Sequence, residues 1–217
     1  MDRLHPTAAA PSTPFARLKQ FTRPKAAPEE KCELCGAAIP AEHQHLMELA
    51  KRKMHCACDA CAILFSADAT MRYRRVPHRV WSLDSFELSD ATWDSLHVPI
   101  NLAFFFRNTA DETVLAIYPS PAGATESQVP LDAWNDLIVV NPELGIMQND
   151  VEALLVNRVG KRRDSLIVPI DQCYRLVGII RTHWRGLSGG TDVWREVNQF
   201  FDQLNRLASP AKGMPRA

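Results

Sequence analysis

The chain has no net charge. Its 25 Lys and Arg offset 25 Asp and Glu over 217 residues, so no global field draws it to nucleic acid or to a membrane surface, and neither is expected as a partner. It has no apolar run near the ~18 residues of a membrane helix. The first 28 residues carry Arg3, Arg17, Lys19, Arg23 and Lys25 but lack the apolar stretch of a signal peptide. That segment is rich in Pro and Ala instead (Pro6, Pro11, Pro14, Pro24, Pro28) and cannot bury enough surface to order itself, so residues 1–30 are expected to form a disordered tail. A cytoplasmic location follows as an expectation, and a reducing compartment favours thiolates over disulfides. Several catalytic signatures are missing too: no HExxH, and no GKS/T or GxGxxG phosphate loop. His97, His183 and the carboxylates are scattered, and His183 sits near a helix end, where an imidazolium complements the dipole. Nothing assembles a nucleophile with a base, so the chain is expected not to be an enzyme.

What is present is a globular composition, 46% hydrophobic and 23% charged, long enough for one ordinary core and a small satellite. The neutral total hides an asymmetry. Residues 1–80 hold 13 basic against 8 acidic side chains, a net of +5, and residues 81–217 hold 12 against 17, a net of −5. Opposite signs in two segments point to two modules docked on each other.

Five of the six cysteines fall between positions 32 and 61. Cys32 and Cys35 form one CxxC pair and Cys58 and Cys61 another, 22 residues apart, with Cys56 as an extra. Each CxxC puts two sulfurs on one tight turn, where both reach a cation at about 2.3 Å, and two such turns close a tetrahedron. Gly36 suits the knuckle because it permits positive φ. Between the pairs, residues 45–49 and 54–57 read as a hairpin across Lys51-Arg52-Lys53, and residues 59–65 read as a helix whose positive end stabilises thiolate charge. Knuckle, hairpin and helix make a treble-clef-like zinc module over residues 31–78, whose folding should depend on the metal. Zinc is the expected ion and iron the alternative, since rubredoxin-type iron sites carry a glycine after both pairs and here Ala62 follows the second. Strand alternation would put Cys56 and Cys58 on one face, so either could be the third ligand. His43, His45 and His55 lie close by. They and Cys56 could build a second, labile metal site; alternatively His43 and His55 face solvent and Cys56 is a small buried hydrophobe. The basic run Arg72-Tyr73-Arg74-Arg75, with Pro77, His78 and Arg79, reads as a solvated connector or as the surface that meets the acidic module.

Residues 79–208 read as an α+β domain, a small antiparallel sheet with helices on one face, and residues 209–217 as a disordered tail. Ser89 can cap a short helix through Trp93 and Leu96. Residues 100–106 and 113–118 form one hairpin, residues 151–159 and 165–170 a second, and Pro130 opens a helix from Leu131 to about Val139. Asp171 is a candidate cap for a helix with the stripe Cys173, Val177, Ile180 and Trp184, which makes Cys173 core and not a nucleophile. Gly189-Gly190 breaks the chain, and Thr191 caps a last helix with the stripe Trp194, Val197, Phe201, Leu204 and Ala208. The segment Tyr118-Pro-Ser-Pro-Ala-Gly-Ala-Thr-Glu-Ser127 reads as a loop between a strand and a helix, either a rigid connection or a surface offering amides and hydroxyls to a partner.

The motifs Cys32-Glu-Leu-Cys-Gly36, His43-x-His45-Leu, Cys56-Ala-Cys-Asp-Ala-Cys61 running into Leu64-Phe65, Ala103-Phe-Phe-Phe-Arg-Asn108, the 118–127 segment, Pro169-Ile-Asp-Gln-Cys-Tyr174, and His183-Trp-Arg-Gly to Gly189-Gly190 extend over nearly everything after residue 30. Together they resemble a bacterial zinc-finger-like family without an established activity, whose genes often sit beside those of uptake nickel–iron hydrogenases. The resemblance implies an accessory role in hydrogenase maturation, assembly or electron supply. The expected function is therefore a non-catalytic, zinc-stabilised protein that binds another protein, such as a hydrogenase subunit or maturation factor, through the 118–127 segment and the 72–79 connector. The alternative is a rubredoxin-like electron carrier with a cysteine-ligated iron.

Overall fold

The computed structural model describes residues 30–67, 72–120, 123–186 and 189–211. The expected N-terminal tail lies outside the described residues except for Glu30, whose carbonyl accepts from the Ile39 amide at 2.9 Å. The N-terminal module runs β1 (Gln44–Glu48), a 3₁₀ turn (Leu49–Lys51), β2 (Lys53–Ala57), α1 (Asp59–Ser66) and β3 (Tyr73–Arg75). β1 is central, antiparallel to β2 on one side and to β3 on the other. The tight connection between β1 and β2 closes because Arg52 takes the left-handed conformation at φ 50° and its amide donates back to the Leu49 carbonyl. Part of the expected basic connector is thus a strand.

The remaining chain runs β4 (Trp81–Ser82), α2 (Asp90–Ser95), β5 (Leu102–Asn108), β6 (Thr113–Ser120), β7 (Gly123–Val129), α3 (Leu131–Val140), a 3₁₀ segment (Pro142–Ile146), β8 (Glu152–Asn157), β9 (Asp164–Pro169), α4 (Ile170–His183), α5 (Gly190–Leu207) and β10 (Ser209–Pro210). The strands form one seven-stranded sheet in the order β10-β4-β9-β8-β5-β6-β7. It is antiparallel apart from the β10–β4 pair, and α+β is the architecture. Its helices are not confined to one face, as the sequence reading had them. Phe104, Phe106, Leu155 and Val168 meet Ile170, Cys173, Leu176, Val197 and Phe201 of α4 and α5 on one side. Phe105, Ala116, Leu154 and Ile167 meet Trp93, Trp134 and Leu137 of α2 and α3 on the other. Successive strand residues alternate between faces, so the unbroken apolar runs of β5 and β8 require cover on both. Cys173 is fully buried, as its helical stripe predicted.

Four local readings are corrected. Asp171 is not a cap, because α4 already begins at Ile170 behind Pro169. Thr191 is not a cap either: Gly189 precedes α5 at φ 86°, where an added Cβ would stand 2.8 Å from the Val193 side chain. Residues 118–120 and 123–127 are strand and not loop, pairing Tyr118 with Thr125 and Ile117 with Glu126 at the outer edge of the sheet. Residues 209–211 are not tail, since the amides of Ser209 and Ala211 donate to Val80 and Ser82; residues 212–217 lie outside the described residues.

The two modules share a seam. Leu46 points into a small cluster with Cys32, Ile39, Ala57, Cys61 and Ala62, whereas its neighbour Met47 joins Val76, Phe106 and Ile170 in the larger core. Ion pairs of the expected polarity flank the seam. Arg79 grips the fully buried carboxylate of Glu152 with two bonds of 2.7 and 3.0 Å, and that carboxylate also accepts from the Gln148 amide. Arg74 reaches Asp150 at 3.0 Å and the Asn149 carbonyl at 2.8 Å. Arg52 pairs with Glu126 across the same boundary. Removing Arg79 strands the fully buried Glu152 carboxylate, so Arg79→Ala should lower unfolding stability by about 3 kcal/mol, read from urea midpoints at constant slope.

Candidate metal centre

The first knuckle is built by backbone bonds that leave sulfur facing inward. The Gly36 amide donates to the Cys32 carbonyl and the Cys32 amide to the Ala37 carbonyl, both at 2.8 Å, with Gly36 at φ 77°. The second pair sits where β2 runs out. Cys58 is the N-cap of α1, extended at φ −73° and ψ 161°, and its Sγ accepts the Cys61 amide at 3.5 Å. The Glu33 amide donates to the Cys56 carbonyl at 2.9 Å and fastens the knuckle to β2.

These elements bring Cys32, Cys35, Cys58 and Cys61 together, with the four Sγ atoms within 4.8 Å of one another. Cys35 and Cys58 stand 3.7 Å apart. A tetrahedron with metal–sulfur bonds near 2.3 Å has edges of about 3.8 Å, so the Cys35–Cys58 spacing is that of one edge of a tetrathiolate site. Cys32 and Cys61 are buried and Cys35 is exposed, and all are free thiols. Their protonation is strongly split. Burial works against ionisation of Cys32, but hydrogen bonds from Cys58, Cys35 and Leu34 bring its thiol down to about 6. Burial, with the adjoining Cys35, Cys58 and Cys32 sulfurs, pushes Cys61 up to about 12. Four crowded sulfurs cannot all carry negative charge unless a cation supplies the balancing field.

Cys56 does not belong to this cluster, and the shared-face argument with Cys58 fails. Regular alternation ends at Ala57, and Cys58 turns off to cap α1. Cys56 instead pairs across the ladder with His45 and gathers with His43 and His45, one ligand atom of each within 4.8 Å of the others. Burial, with Glu33 and Glu30 nearby, pushes the Cys56 thiol up. His43 does not face solvent, its side chain being 7% exposed. His55 is buried as well and lies apart from this group, bonding Glu33 at 3.0 Å and Glu48 at 3.3 Å. Glu48, itself buried, also pairs with Lys51 and Arg72 and so ties the turn, β2 and the start of β3 together. Two participants escaped the sequence reading. Glu33 binds the Cys56 amide, Lys53 and His55, and Asp171 binds His45 at 2.9 Å from 126 residues away. Glu33 was findable from its place between two cysteines, where a carboxylate can meet the hairpin's free amide; Asp171 had no local signal.

A protein-family model described as a family of unknown function, DUF5947, matches residues 31–208. No curated protein and no solved structure matches the chain.

If the four thiolates hold the ion, Cys32→Ser or Cys61→Ser should lose chelator-resistant metal and open residues 30–67 to proteolysis. Cys56→Ser should keep both the metal and the protection. Metal analysis with limited digestion checks this, and equal metal loss from Cys56→Ser would contradict the assignment.

Proposed function

We propose that this chain, which belongs to the DUF5947 family, is a non-catalytic accessory protein whose treble-clef-like module is stabilised by zinc and whose task is to bind another protein. The resemblance to a hydrogenase-linked family supports a nickel–iron hydrogenase subunit or maturation factor as the partner, and the cytoplasm is the proposed location because its thiols stay reduced there. Zinc is preferred over iron because the tetrathiolate needs no redox activity to complete so small a core, in which, among the described residues, Leu46, Ile39, Ala57 and Ala62 are buried beside the cysteines and Leu34, Phe65 and Tyr73 pack against them.

The observation that carries the binding role is on α1. Its inward face supplies Cys61 and Ala62 to the small core, and its outward face holds Ile63 and Leu64, 64% and 67% exposed. Neighbouring large aliphatics on a helix anchored by metal ligands form a rigid apolar knob. Burying either in a partner would contribute roughly 1.5–3 kcal/mol. The edge strand β7 offers a further contact, with no strand paired on its outer side among the described residues and Thr125 along it, although Glu126 is already engaged by Arg52. The 72–79 connector is a poorer contact surface than the sequence suggested, since Arg72, Arg74 and Arg79 are engaged within the chain. No described helix is long and apolar enough to cross a membrane.

Protein purified without oxygen or chelator is expected to be colourless and to retain zinc against a chelator. Iron with charge-transfer bands would hand the case to the rubredoxin-like alternative. Titration against purified hydrogenase subunits and maturation factors should find one that binds, with Leu64→Glu weakening it at least tenfold at unchanged metal content. Binding that ignores both Ile63→Glu and Leu64→Glu would remove α1 as the contact.

A further inference from the structure

The group formed by His43, His45 and Cys56 is separate from the tetrathiolate cluster and has the features of a ligand set. His45 and Cys56 are direct partners across β1 and β2. His43, two residues before His45, falls on the same side of the strand direction, and the two rings meet edge to face at 4.8 Å. Each imidazole is oriented by an acceptor on Nδ1. For His43 these are the Pro40 carbonyl at 2.9 Å and a Glu30 carboxylate oxygen at 3.2 Å. For His45 it is Asp171 Oδ2 at 2.9 Å. A carbonyl or a carboxylate accepts only, so in the neutral imidazole the proton sits on Nδ1 and the Nε2 lone pair is left available. The side chain of His43 is 93% buried by the complement of its 7% exposure, yet its Nε2 has no hydrogen-bond partner. Asp171 Oδ1 is also buried and unpartnered. A buried imidazole nitrogen holding a free lone pair beside a second imidazole and a thiol is costly to leave unfilled. The arrangement carboxylate–imidazole–vacant nitrogen is the usual outer support of a metal-ligating histidine.

We propose that His43, His45 and Cys56 form a second metal site, for an exchangeable borderline divalent transition-metal ion such as Zn²⁺ or Co²⁺. Two imidazoles and one thiolate exclude hard ions such as Mg²⁺ and Ca²⁺, which take oxygen donors. Three protein ligands leave a coordination position open, and an open position permits exchange with a donor or acceptor protein; the tetrathiolate site has none. The Asp171 carboxylate offsets the charge of a dication on one thiolate. Because Asp171 belongs to α4 and the ligands to the β1–β2 hairpin, the ion would sit on the seam and tie the two modules together.

The test uses the full chain with its tetrathiolate site filled by zinc, titrated with Co²⁺. The wild type should bind one further Co²⁺ per chain, with ligand-field bands of a low-coordinate ion and a charge-transfer band of one thiolate, and added Zn²⁺ should displace it. His43→Gln and Cys56→Ala should abolish this second equivalent and keep the first zinc, and Asp171→Asn should weaken it by about 10- to 100-fold through loss of imidazole orientation. A wild type that takes up no second ion overturns the proposal, as does a second equivalent that survives in both ligand variants. Should a variant lose the first zinc as well, alkylation of Cys56 in the unaltered protein decides. Protection that saturates at the second equivalent supports the site, and alkylation unaffected by Co²⁺ overturns it.

Discussion

Four sulfurs held within 4.8 Å of one another set the terms for everything N-terminal to the large sheet. Their geometry is fixed by two short backbone devices, the Gly36 knuckle and the Cys58 cap of α1. Neither is stable alone: a knuckle of a few residues and an eight-residue helix both fall below what isolated peptides sustain in water. The buried apolar residues beside them are few, so an ion held by the four sulfurs would contribute much of the module's folding free energy. The split titration of Cys32 and Cys61 is the same constraint seen electrostatically, because bare thiols at this spacing ionise one at the expense of the others.

That module then becomes a surface for the rest of the chain. β1 sends Leu46 to the metal side and Met47 to the large core, so one strand serves two interiors by its period of two. Apolar contact alone would leave the angle between the modules loosely defined. Arg79 on Glu152 and Arg74 on Asp150 remove that freedom, since each buried carboxylate is satisfied in one arrangement only. Three of the basic side chains before residue 80, Arg52, Arg74 and Arg79, are engaged in this internal seam by Glu126, Asp150 and Glu152.

Legibility in the sequence followed the range of the interaction responsible. The CxxC pairs, the hairpin between them, the Ser89 cap and the apolar stripe through Cys173 and Ile180 are decided by neighbours within a few positions, and each was readable. The second face of the sheet was not read, although the run Leu102-Ala-Phe-Phe-Phe106 carried the signal: apolar residues without alternation mean cover on both sides. Residues 118–120 and 123–127 misled because prolines and small residues mark loops, and only the pairing of β6 with β7 in the folded sheet makes them strand. Asp171 was misassigned for a related reason. An acidic residue at a helix start has a local explanation, and nothing near it in the chain reveals His45 as its partner.

The separation of Cys56 from Cys58 shows how one residue of backbone conformation sorts chemistry. Both lie at the end of β2, and an extended chain would have turned their sulfurs to the same side. The strand stops at Ala57, and Cys58 adopts the cap geometry that starts α1, carrying its sulfur to the knuckle. Cys56 stays on the ladder opposite His45. A single strand-to-helix junction thereby gives one sulfur to a closed structural site and leaves the other beside two oriented imidazoles. A closed four-thiolate shell exchanges its ion slowly, and a three-ligand group with an open position exchanges it readily. If both groups bind as proposed, the hairpin would keep one ion for its fold and still exchange another.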